Sequence, residues 1–563
     1  MRVIGIGKQD FADIRTAGTF YVDKTDFIRQ WWDNQDSVTL IARPRRFGKT
    51  LTISMVEEFF SVRYAGRREL FEGLSIWKEE RFRKLQGTYP VISLSFANVK
   101  EQKFHQARER ICQLLAGLYN QNAFLLDSGI LTEEERSYFL SVTSSMSEVT
   151  ATIAVYKLSE FLARYYGKKV IVLLDEYDTP MQEAYTDGYW AEITSFIRSF
   201  FNASFKTNPW LERALMTGIT RVSKESIFSD LNNLTVVTTT SRQYEEAFGF
   251  TEEEVFSALE EYGFLEKKKE VKSWYDGFTF GDRRDIYNPW SIINYLKEGR
   301  VAPYWANTSS NSLVGRLIQR GSRTIKQDFE TLLNGGALRA AIDEQIVYSQ
   351  LEQEESAVWS LLLASGYLKV RKVTYPEPDG ETWLPEYELE LTNLEVKIMF
   401  QSMIRQWFGT TRSDYNDFIR ALLLDDVDAM NEYMNRVAFK TFSFFDTGNH
   451  PSGNAEPERF YHGFVLGLMV ELADRYYITS NRESGFGRYD IMLEPRNKEL
   501  DAVILEFKVR NPRRETCLEE TVQAALAQIE KKNYEQALNE RGIPSSRIRR
   551  YGFAFEGKTV LIG

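Results

Sequence analysis

Two groups of residues in this 563-residue chain have the types and spacing for chemistry on phosphorus. The first is Arg43-Pro44-Arg45-Arg46-Phe47-Gly48-Lys49-Thr50, directly after the apolar run Val38 to Ala42. A strand, a loop ending in Gly-Lys-Thr and a helix present backbone N–H groups to phosphate oxygens. The lysine reaches the β/γ-phosphates and the threonine holds Mg²⁺. Gly48, Lys49 and Thr50 supply these last parts, but Arg43 stands where the general GxxxxGK[ST] pattern has its first glycine. That glycine normally permits a tight turn, and Gly-Lys-Thr after three arginines also suits a plain basic surface turn. Further on, Val170-Ile171-Val172-Leu173-Leu174-Asp175-Glu176 is an apolar strand ending in two carboxylates. Strand polarity sets them at the sheet edge where ligands sit in open α/β folds. There Asp175 holds Mg²⁺ through water and Glu176 polarises the attacking water; the plain alternative is a solvated acidic turn continued by Asp178. A third strand, Arg213 to Ile219, brings Thr217 to the same edge as a γ-phosphate sensor. Arg221 either stabilises transferred charge, in cis or from a neighbouring subunit, or pairs with Glu225 or Asp230.

The second group lies near the C-terminus. Gly487 to Glu494 reads as a strand, Pro495 to Lys498 as a turn, and Asp501 to Val509 as the next strand. Side chains alternate in a strand, so Glu506 and Lys508 share one face while Val503, Leu505, Phe507 and Val509 take the other. A charged pair on an otherwise apolar strand needs a partner or a metal if it is buried. In a hairpin Asp490 lies across from Glu506, and two carboxylates hold Mg²⁺ or Mn²⁺. Such a metal neutralises a scissile phosphate and lowers the pKa of its water, with Lys508 orienting that water and offsetting transition-state charge. The plain alternative is an Asp at a strand start beside a solvated ion pair on an edge strand.

These side chains need elements to carry them. Continuous apolar runs at Val38–Ala42, Pro90–Phe96, Val170–Leu174 and Arg213–Ile219, separated by helical stretches, predict a parallel sheet covered on both faces. Residues 1–36 read as a helix-prone lead-in, and roughly 100–165 as helix with turns near 141–148. From about 250 to 400 the pattern is mostly helical. A helix over Ser356–Tyr367 followed by strands at Leu368–Val370 and Tyr387–Leu391 suggests a small winged-helix unit. Residues 410–450 read as helical, and Thr447 to Asn454 as a Gly/Pro/Asn-rich break. Helix Glu458–Val465 precedes the strand pair, and helix Thr521–Leu538 follows it with Gln528 and Tyr534 near one face.

Composition narrows the classes. With 70 basic and 80 acidic residues the net charge is −10, which disfavours nucleic acid unless basic residues cluster. They do, at Arg43/Arg45/Arg46, at Lys508/Arg510/Arg513/Arg514 and at Arg547/Arg549/Arg550. Two cysteines and three histidines exclude a disulfide framework and a CxxC-type zinc site. Neither an apolar leader nor a run of ~18 apolar residues is present, so a cytoplasmic protein away from membranes is expected.

Phe20-Tyr21-Val22-Asp23-Lys24-Thr25, the Arg43–Thr50 loop, Leu174-Asp175-Glu176-Tyr177-Asp178 and Thr217-Gly218-Ile219-Thr220-Arg221 together resemble the AAA-ATPase-like family of many bacteria and some archaea. Trp274-Tyr275-Asp276-Gly277-Phe278 and Tyr287-Asn288-Pro289-Trp290-Ser291 extend the likeness, which covers roughly residues 4–310. Arg-Pro-Arg-Arg-Phe-Gly-Lys is that family's own form of the loop, which adds Arg46 and Phe47 to the cofactor-binding residues and supports nucleotide binding more than fast hydrolysis. Asp23 or Thr25 is expected to cap the helix starting at Asp26. Trp274–Phe278 reads as an aromatic-packed turn in which Gly277 supplies a permissive backbone. The stretch from Phe460-Tyr461-His462-Gly463 through Ser480–Gly485 to Glu506-Phe507-Lys508 resembles the PD-(D/E)XK nuclease domain that accompanies this ATPase family. It implies Asp490, Glu506 and Lys508 as catalytic, Glu458 and Gln528 as nearby helpers, and His462 near the metals or simply packed.

The fold expected is therefore α/β. A P-loop NTPase (AAA-like) parallel sheet occupies 1–250, a helical/winged-helix region 251–450, and an α/β restriction-endonuclease-like domain 451–563. The function expected is an ATP-controlled, metal-dependent nuclease using ATP with Mg²⁺, and Mg²⁺ or Mn²⁺ at the nuclease site. Catalysis falls to Glu176, Asp490, Glu506 and Lys508. Nucleotide falls to Arg46, Phe47, Gly48, Lys49, Thr50, Asp175, Thr217 and Arg221, and metals to Thr50, Asp175, Glu458, Asp490 and Glu506. DNA is preferred to RNA by family analogy alone. Arg221 acting in trans requires a homo-oligomer. The rival is a nucleotide-dependent switch or scaffold whose nuclease fold binds without cutting.

Overall fold

The computed structural model describes residues 1–221, 227–228, 231–306, 312–320, 323–333, 335–343, 351, 354–375, 385–408, 412–441, 465, 468–469, 472, 475–480, 483–484, 487–488, 490–497, 500–556 and 559–563. They form two compact units. One comprises Met1–Arg320 with Asn334–Lys397, the other Gly321–Leu333 with Ile398–Gly563.

In the first unit the expected apolar runs are strands β1 (Val38–Ala42), β2 (Val91–Ser95), β3 (Val170–Asp175) and β4 (Leu211–Gly218), joined by β5 (Leu234–Val237). They form one sheet in the order β2-β3-β4-β1-β5, every neighbouring pair parallel. β1 and β3 are buried along their whole length, which is why both read as unbroken apolar runs rather than alternating ones. Between β2 and β3 run helices Phe104–Gln121, Glu133–Ser141 and Glu148–Tyr166. The last starts at Ser147, whose hydroxyl accepts from Thr150 N–H, and ends at Gly167 in the left-handed region.

The lead-in differs from expectation in one detail. Thr25 is the N-cap residue of helix Asp26–Asn34, but its side chain makes no capping bond. The Asp23 carboxylate instead accepts from Thr25 N–H and hydroxyl at 2.9 and 2.7 Å, and from Ser75 N–H and hydroxyl at 2.7 Å each. A carboxylate offers several acceptor sites, and here they tie two distant turns together. Lys24 reaches to the far side of the sequence, 2.7 Å from Glu254 and 2.8 Å from the Glu246 carbonyl.

Residues after 250 hold more strand than their pattern suggests. β6 (Phe250–Thr251), β7 (Phe278–Phe280) and β8 (Arg283–Tyr287) form a three-stranded sheet in the order β6-β8-β7. Strands this short carry too few residues for alternation to register. Gly277, just before β7, has φ 126°, and a Cβ there would stand 2.1 Å from the Thr392 carbonyl oxygen. The expected permissive backbone is thus needed for both torsion and space. Helix Glu355–Ala364 precedes β10 (Leu368–Thr374), which pairs with β11 (Glu386–Leu391), and β9 (Leu338–Ala341) completes an antiparallel sheet in the order β10-β11-β9. Helix Leu394–Phe408 begins among the first unit's residues and runs on into those of the second.

The second unit centres on β12 (Tyr476–Ser480), β15 (Ile491–Pro495), β16 (Ala502–Val509), β17 (Ile548–Glu556) and β18 (Thr559–Ile562), in that order. β16 and β17 are parallel; the other pairs are antiparallel. The single strand expected over Gly487–Glu494 is two pieces. Between β12 and β15, β13 (Glu483–Ser484) and β14 (Gly487–Arg488) form their own hairpin, and β15 starts only at Ile491. The helix expected over Thr521–Leu538 is also two, Leu518–Lys531 and Gln536–Asn539, because Asn533 takes φ 50°, a conformation no right-handed helix contains. Helices Arg412–Leu424 and Val427–Thr441 cover one sheet face, where Phe418, Leu422 and Met434 meet Val503, Leu505 and Phe507. On the other face Ile504 packs with Ile529, Tyr534 and Leu538. The break at Thr447–Asn454 and helix Glu458–Val465 lie outside the described residues, Val465 excepted. Among the described residues no helix is long and apolar enough to cross a membrane.

Candidate functional site

β1 delivers the loop Arg43–Thr50 to the C-terminal edge of the first sheet, and helix Lys49–Phe60 starts from Gly48 at φ 85°. The loop turns at two left-handed residues, Gly48 and Arg46 (φ 65°), so Arg43 is not where the turn needs glycine. Arg43 is instead buried. Its guanidinium donates to the carbonyls of Thr238 and Gln243 and lies 4.4 Å from the Phe280 ring centre. Backbone acceptors and an aromatic face together make a buried cation tolerable. Pro44 packs beside Gly366, where a Cβ would come within 2.8 Å of the proline ring. Arg46 stacks 4.3 Å over Trp290, and Phe47 is buried against Phe278 and Phe280. The side chains of Arg46 and Phe47 are thus directed to residues after 250, which leaves their backbone N–H groups as what they can offer a phosphate.

Lys49 is buried and donates to the carbonyls of Arg43 and Pro44, each at 2.8 Å. Burial pulls its pKa down to about 8, against the attraction of Glu176, Asp178 and Asp175. The register Leu174↔Met216 sets the ends of β3 and β4 side by side. Asp175 there accepts from Thr50 Oγ1 at 2.8 Å and from Thr217 Oγ1 at 2.5 Å. Burial raises the Asp175 pKa, and the two hydroxyls oppose that rise. Thr50, Asp175 and Thr217 are therefore one connected group, though they come from three separate segments. Glu176 sits at φ 50°, strained for a residue with a Cβ, and accepts from Thr179 Oγ1 at 3.2 Å.

Asp178 was expected only as part of an acidic turn. It is buried and accepts from Ile219 N–H, Thr220 N–H and Thr220 Oγ1 at 3.0, 2.9 and 2.9 Å. It thereby fixes the chain directly after Thr217. The signal was its place three residues beyond Asp175, which the turn through Glu176 and Tyr177 brings back to the same edge. Arg221, half-buried, lines a small cavity with Ala42, Ile219 and Thr238 at the ends of β4, β1 and β5; Glu225 and Asp230 lie outside the described residues.

In the second unit the register Ile491↔Leu505, carried one residue further, sets Asp490 across from Glu506. Asp490 Oδ2 accepts from Phe507 N–H at 2.8 Å. Glu506 is 2% exposed, and Gln528 joins it to Lys508: the amide nitrogen donates to Glu506 Oε1, while Lys508 Nζ donates to Gln528 Oε1 at 2.7 Å. Tyr534 lies beside them, its hydroxyl pKa raised by burial and then by the Glu506 charge. Glu458 and His462 lie outside the described residues. Of the basic clusters, Arg547 and Arg549 pair with Asp501, Arg550 with Glu530 and Glu535, and Arg510 with Glu556, while Arg513 and Arg514 are exposed on the loop after β16.

Among the described residues Glu252, Asp276 and Asp285 also bring carboxylate oxygens within 4.8 Å of one another. Lys272 ion-pairs with all three, so an ammonium already serves as their cation.

Residues 5–228 match the family described as predicted AAA-ATPase, and residues 456–563 match the PD-(D/E)XK nuclease superfamily. An uncharacterized protein in the vnfD 5' region of Azotobacter chroococcum mcd 1 is 29% identical over 399 residues, covering 70% of this chain and 68% of that one. A signal transduction ATPase with numerous domains and a tetratricopeptide repeat sensor, from Pyrococcus horikoshii, aligns over 81% of this chain and 55% of its own length, at 13% identity and TM-score 0.23. The chain thus carries a predicted AAA-ATPase domain over residues 5–228 and, at its C-terminus, a domain of the PD-(D/E)XK nuclease superfamily over residues 456–563.

Proposed function

We propose that this chain is an ATP-controlled, metal-dependent nuclease. On this reading residues 1–250 bind nucleotide, 251–450 transmit its state, and 451–563 hydrolyse phosphodiester bonds, with DNA preferred to RNA by family likeness alone. The observation that carries it is the joining of Glu506 and Lys508 through Gln528 on the strand face whose neighbour brings Asp490 alongside. A nearly buried carboxylate tied to a lysine suits a reacting centre better than a solvated surface pair.

Asp490 and Glu506 offer only hard carboxylate oxygens, which fits Mg²⁺ or Mn²⁺ and argues against a soft ion. Glu458 is a further proposed ligand. Bound there, a divalent ion supplies charge neutralisation at the scissile phosphate and an acidified water. Lys508 orients that water and offsets the charge that develops on the phosphate oxygens. Gln528 bridges the Lys508 ammonium and the Glu506 carboxylate, which strand alternation already sets on one face. In the first unit Thr50 and Asp175 are the hard donors for the Mg²⁺ of ATP, Lys49 is the cation for its phosphates, and Glu176 is the group for water activation. Arg221 completes the charge set, from the same chain or a second copy. The cytoplasm is the proposed compartment.

The test is Mg²⁺- or Mn²⁺-dependent cleavage of single- and double-stranded DNA and RNA, with and without ATP. Wild type, Lys49→Ala, Glu176→Gln and Lys508→Ala are compared. Loss of cleavage in Lys508→Ala and an altered ATP response in Lys49→Ala are expected. If no substrate is cut under either metal, the nuclease reading fails. ATP binding without turnover or cutting identifies the switch instead.

A further inference from the structure

The Tyr287–Ser291 motif and the buried acid Glu395 are not explained by phosphate chemistry, yet both lead to the phosphate loop. The Arg45 carbonyl accepts two side-chain bonds from residues far along the chain, Trp305 Nε1 at 3.1 Å and Asn288 Nδ2 at 3.3 Å. A peptide unit is rigid and trans, so holding the Arg45 C=O turns the Arg46 N–H the opposite way, away from Trp305 and Asn288. Arg46 is also the strained residue of the loop, an L-residue at φ 65°, where its Cβ crowds the following carbonyl oxygen. A peptide in that position relaxes by flipping unless something holds its carbonyl.

Trp305 is itself held. Its ring packs against Phe278 and Tyr367, with centres 5.5 Å away in each case. Its backbone N–H donates to Glu395 Oε1 at 2.6 Å, and Ala306 N–H donates to the same oxygen at 3.4 Å. The second Glu395 oxygen accepts from Ser291 Oγ at 2.8 Å, in the helix that starts just after Asn288. Glu395 is 0% exposed, and a carboxylate is buried at that depth only where fixed donors meet it. One carboxylate thus fixes both segments that grip the Arg45 carbonyl.

We propose that Trp305, and Glu395 through it, are positioning residues of the phosphate loop, holding the 45–46 peptide so that the Arg46 N–H is available to a bound phosphate. This rests on the nucleotide reading of Lys49 and Thr50. It also accounts for an arginine at position 46, since the loop keeps its shape through an external clamp rather than through glycine.

The test is Mg-ATP affinity by isothermal titration calorimetry on the full chain, alongside thermal melting. Trp305→Phe keeps an aromatic ring but removes the indole's five-membered ring with its one donor; about fivefold weaker ATP binding is expected from the loss of one hydrogen bond. Arg46→Gly in the Trp305→Phe background removes the strain that the clamp opposes and is expected to recover most of that affinity, which no merely structural defect does. Glu395→Gln keeps an acceptor for Trp305 N–H and is expected within about twofold of wild type, whereas Glu395→Leu falls to the Trp305→Phe level. Unchanged ATP affinity in Trp305→Phe, no recovery with Arg46→Gly, or equal weakening by Glu395→Gln and Glu395→Leu overturns the proposal. Wild-type affinity in Lys49→Ala overturns instead the nucleotide reading on which it stands.

Discussion

Replacing Arg43 with glycine restores the general phosphate-loop pattern, yet the expected outcome is a less stable protein. The Arg43 guanidinium donates to the Thr238 and Gln243 carbonyls and faces Phe280. Arg43→Gly orphans both acceptors at about 1–3 kcal/mol each if they stay dry. It also forfeits a desolvated cation–π contact worth up to about 2 kcal/mol. Against this, a buried cation no longer has to be desolvated, and water entering the vacated space re-satisfies part of the loss. The balance is a destabilisation of about 2–4 kcal/mol, confined to the first compact unit. Urea unfolding followed by tryptophan fluorescence measures it, with the transitions of the two units fitted separately because a two-state treatment of the whole chain does not apply. Arg43→Met fills the space without donors and is expected to lose less than Arg43→Gly, since fewer packing contacts are forfeited. If Arg43→Gly is neutral within about 0.5 kcal/mol, or stabilising, the guanidinium is not a structural clamp and the account of position 43 is wrong.

Gly277→Ala drives a Cβ to 2.1 Å from the Thr392 carbonyl at φ 126°, so loss of folded protein or a fall of ~10 °C or more in the first melting transition is expected. Burial holds the Glu58 carboxyl up to about 7, helped by Asp10 and Glu57 and opposed by Ser54 Oγ and Ala12 N–H. Its folded pKa exceeds the unfolded 4.5, so the folded state holds the extra proton between these values and stability falls as pH rises from 4.5 to 7, by at most about 3 kcal/mol. Glu58→Gln should flatten that window in pH-dependent urea melts; an unchanged slope assigns it to other groups. Lys49 titrates the other way, its pKa lowered to about 8, so it enters the ATP complex protonated only by taking up a proton above that pH. ATP affinity is expected to weaken above pH 8 in wild type and to lose that dependence in Lys49→Met, read by titration calorimetry in buffers of differing ionisation heat. Gln528→Leu removes the tie between Lys508 and Glu506, and cleavage is expected to drop about 10–100-fold with metal affinity less affected, measured as rate against Mg²⁺ concentration.

What the chain order alone determined were the parts whose signal is local. Unbroken apolar runs ending in Asp175 and Thr217 exist because both faces of β3 and β4 are covered, and burial on both faces leaves a mark every reader of the sequence can see. The alternation through β16 separates Leu505 and Phe507 from Glu506 and Lys508 for an equally local reason, the two-residue period of a strand. Element ends were less legible, as β13 to β15 and the break at Asn533 show, because one backbone torsion decides them and several residue types adopt it. Only the tertiary structure decided what the arginines at 43 and 46 do. Their partners, Thr238, Gln243, Phe280 and Trp290, lie about 200 or more residues away, and no spacing rule links positions so far apart. The same holds for Glu395, whose sequence neighbours describe only a helix start. Its link to the phosphate loop exists because a buried carboxylate must find donors, and the fold supplies them from Ser291, Trp305 and Ala306.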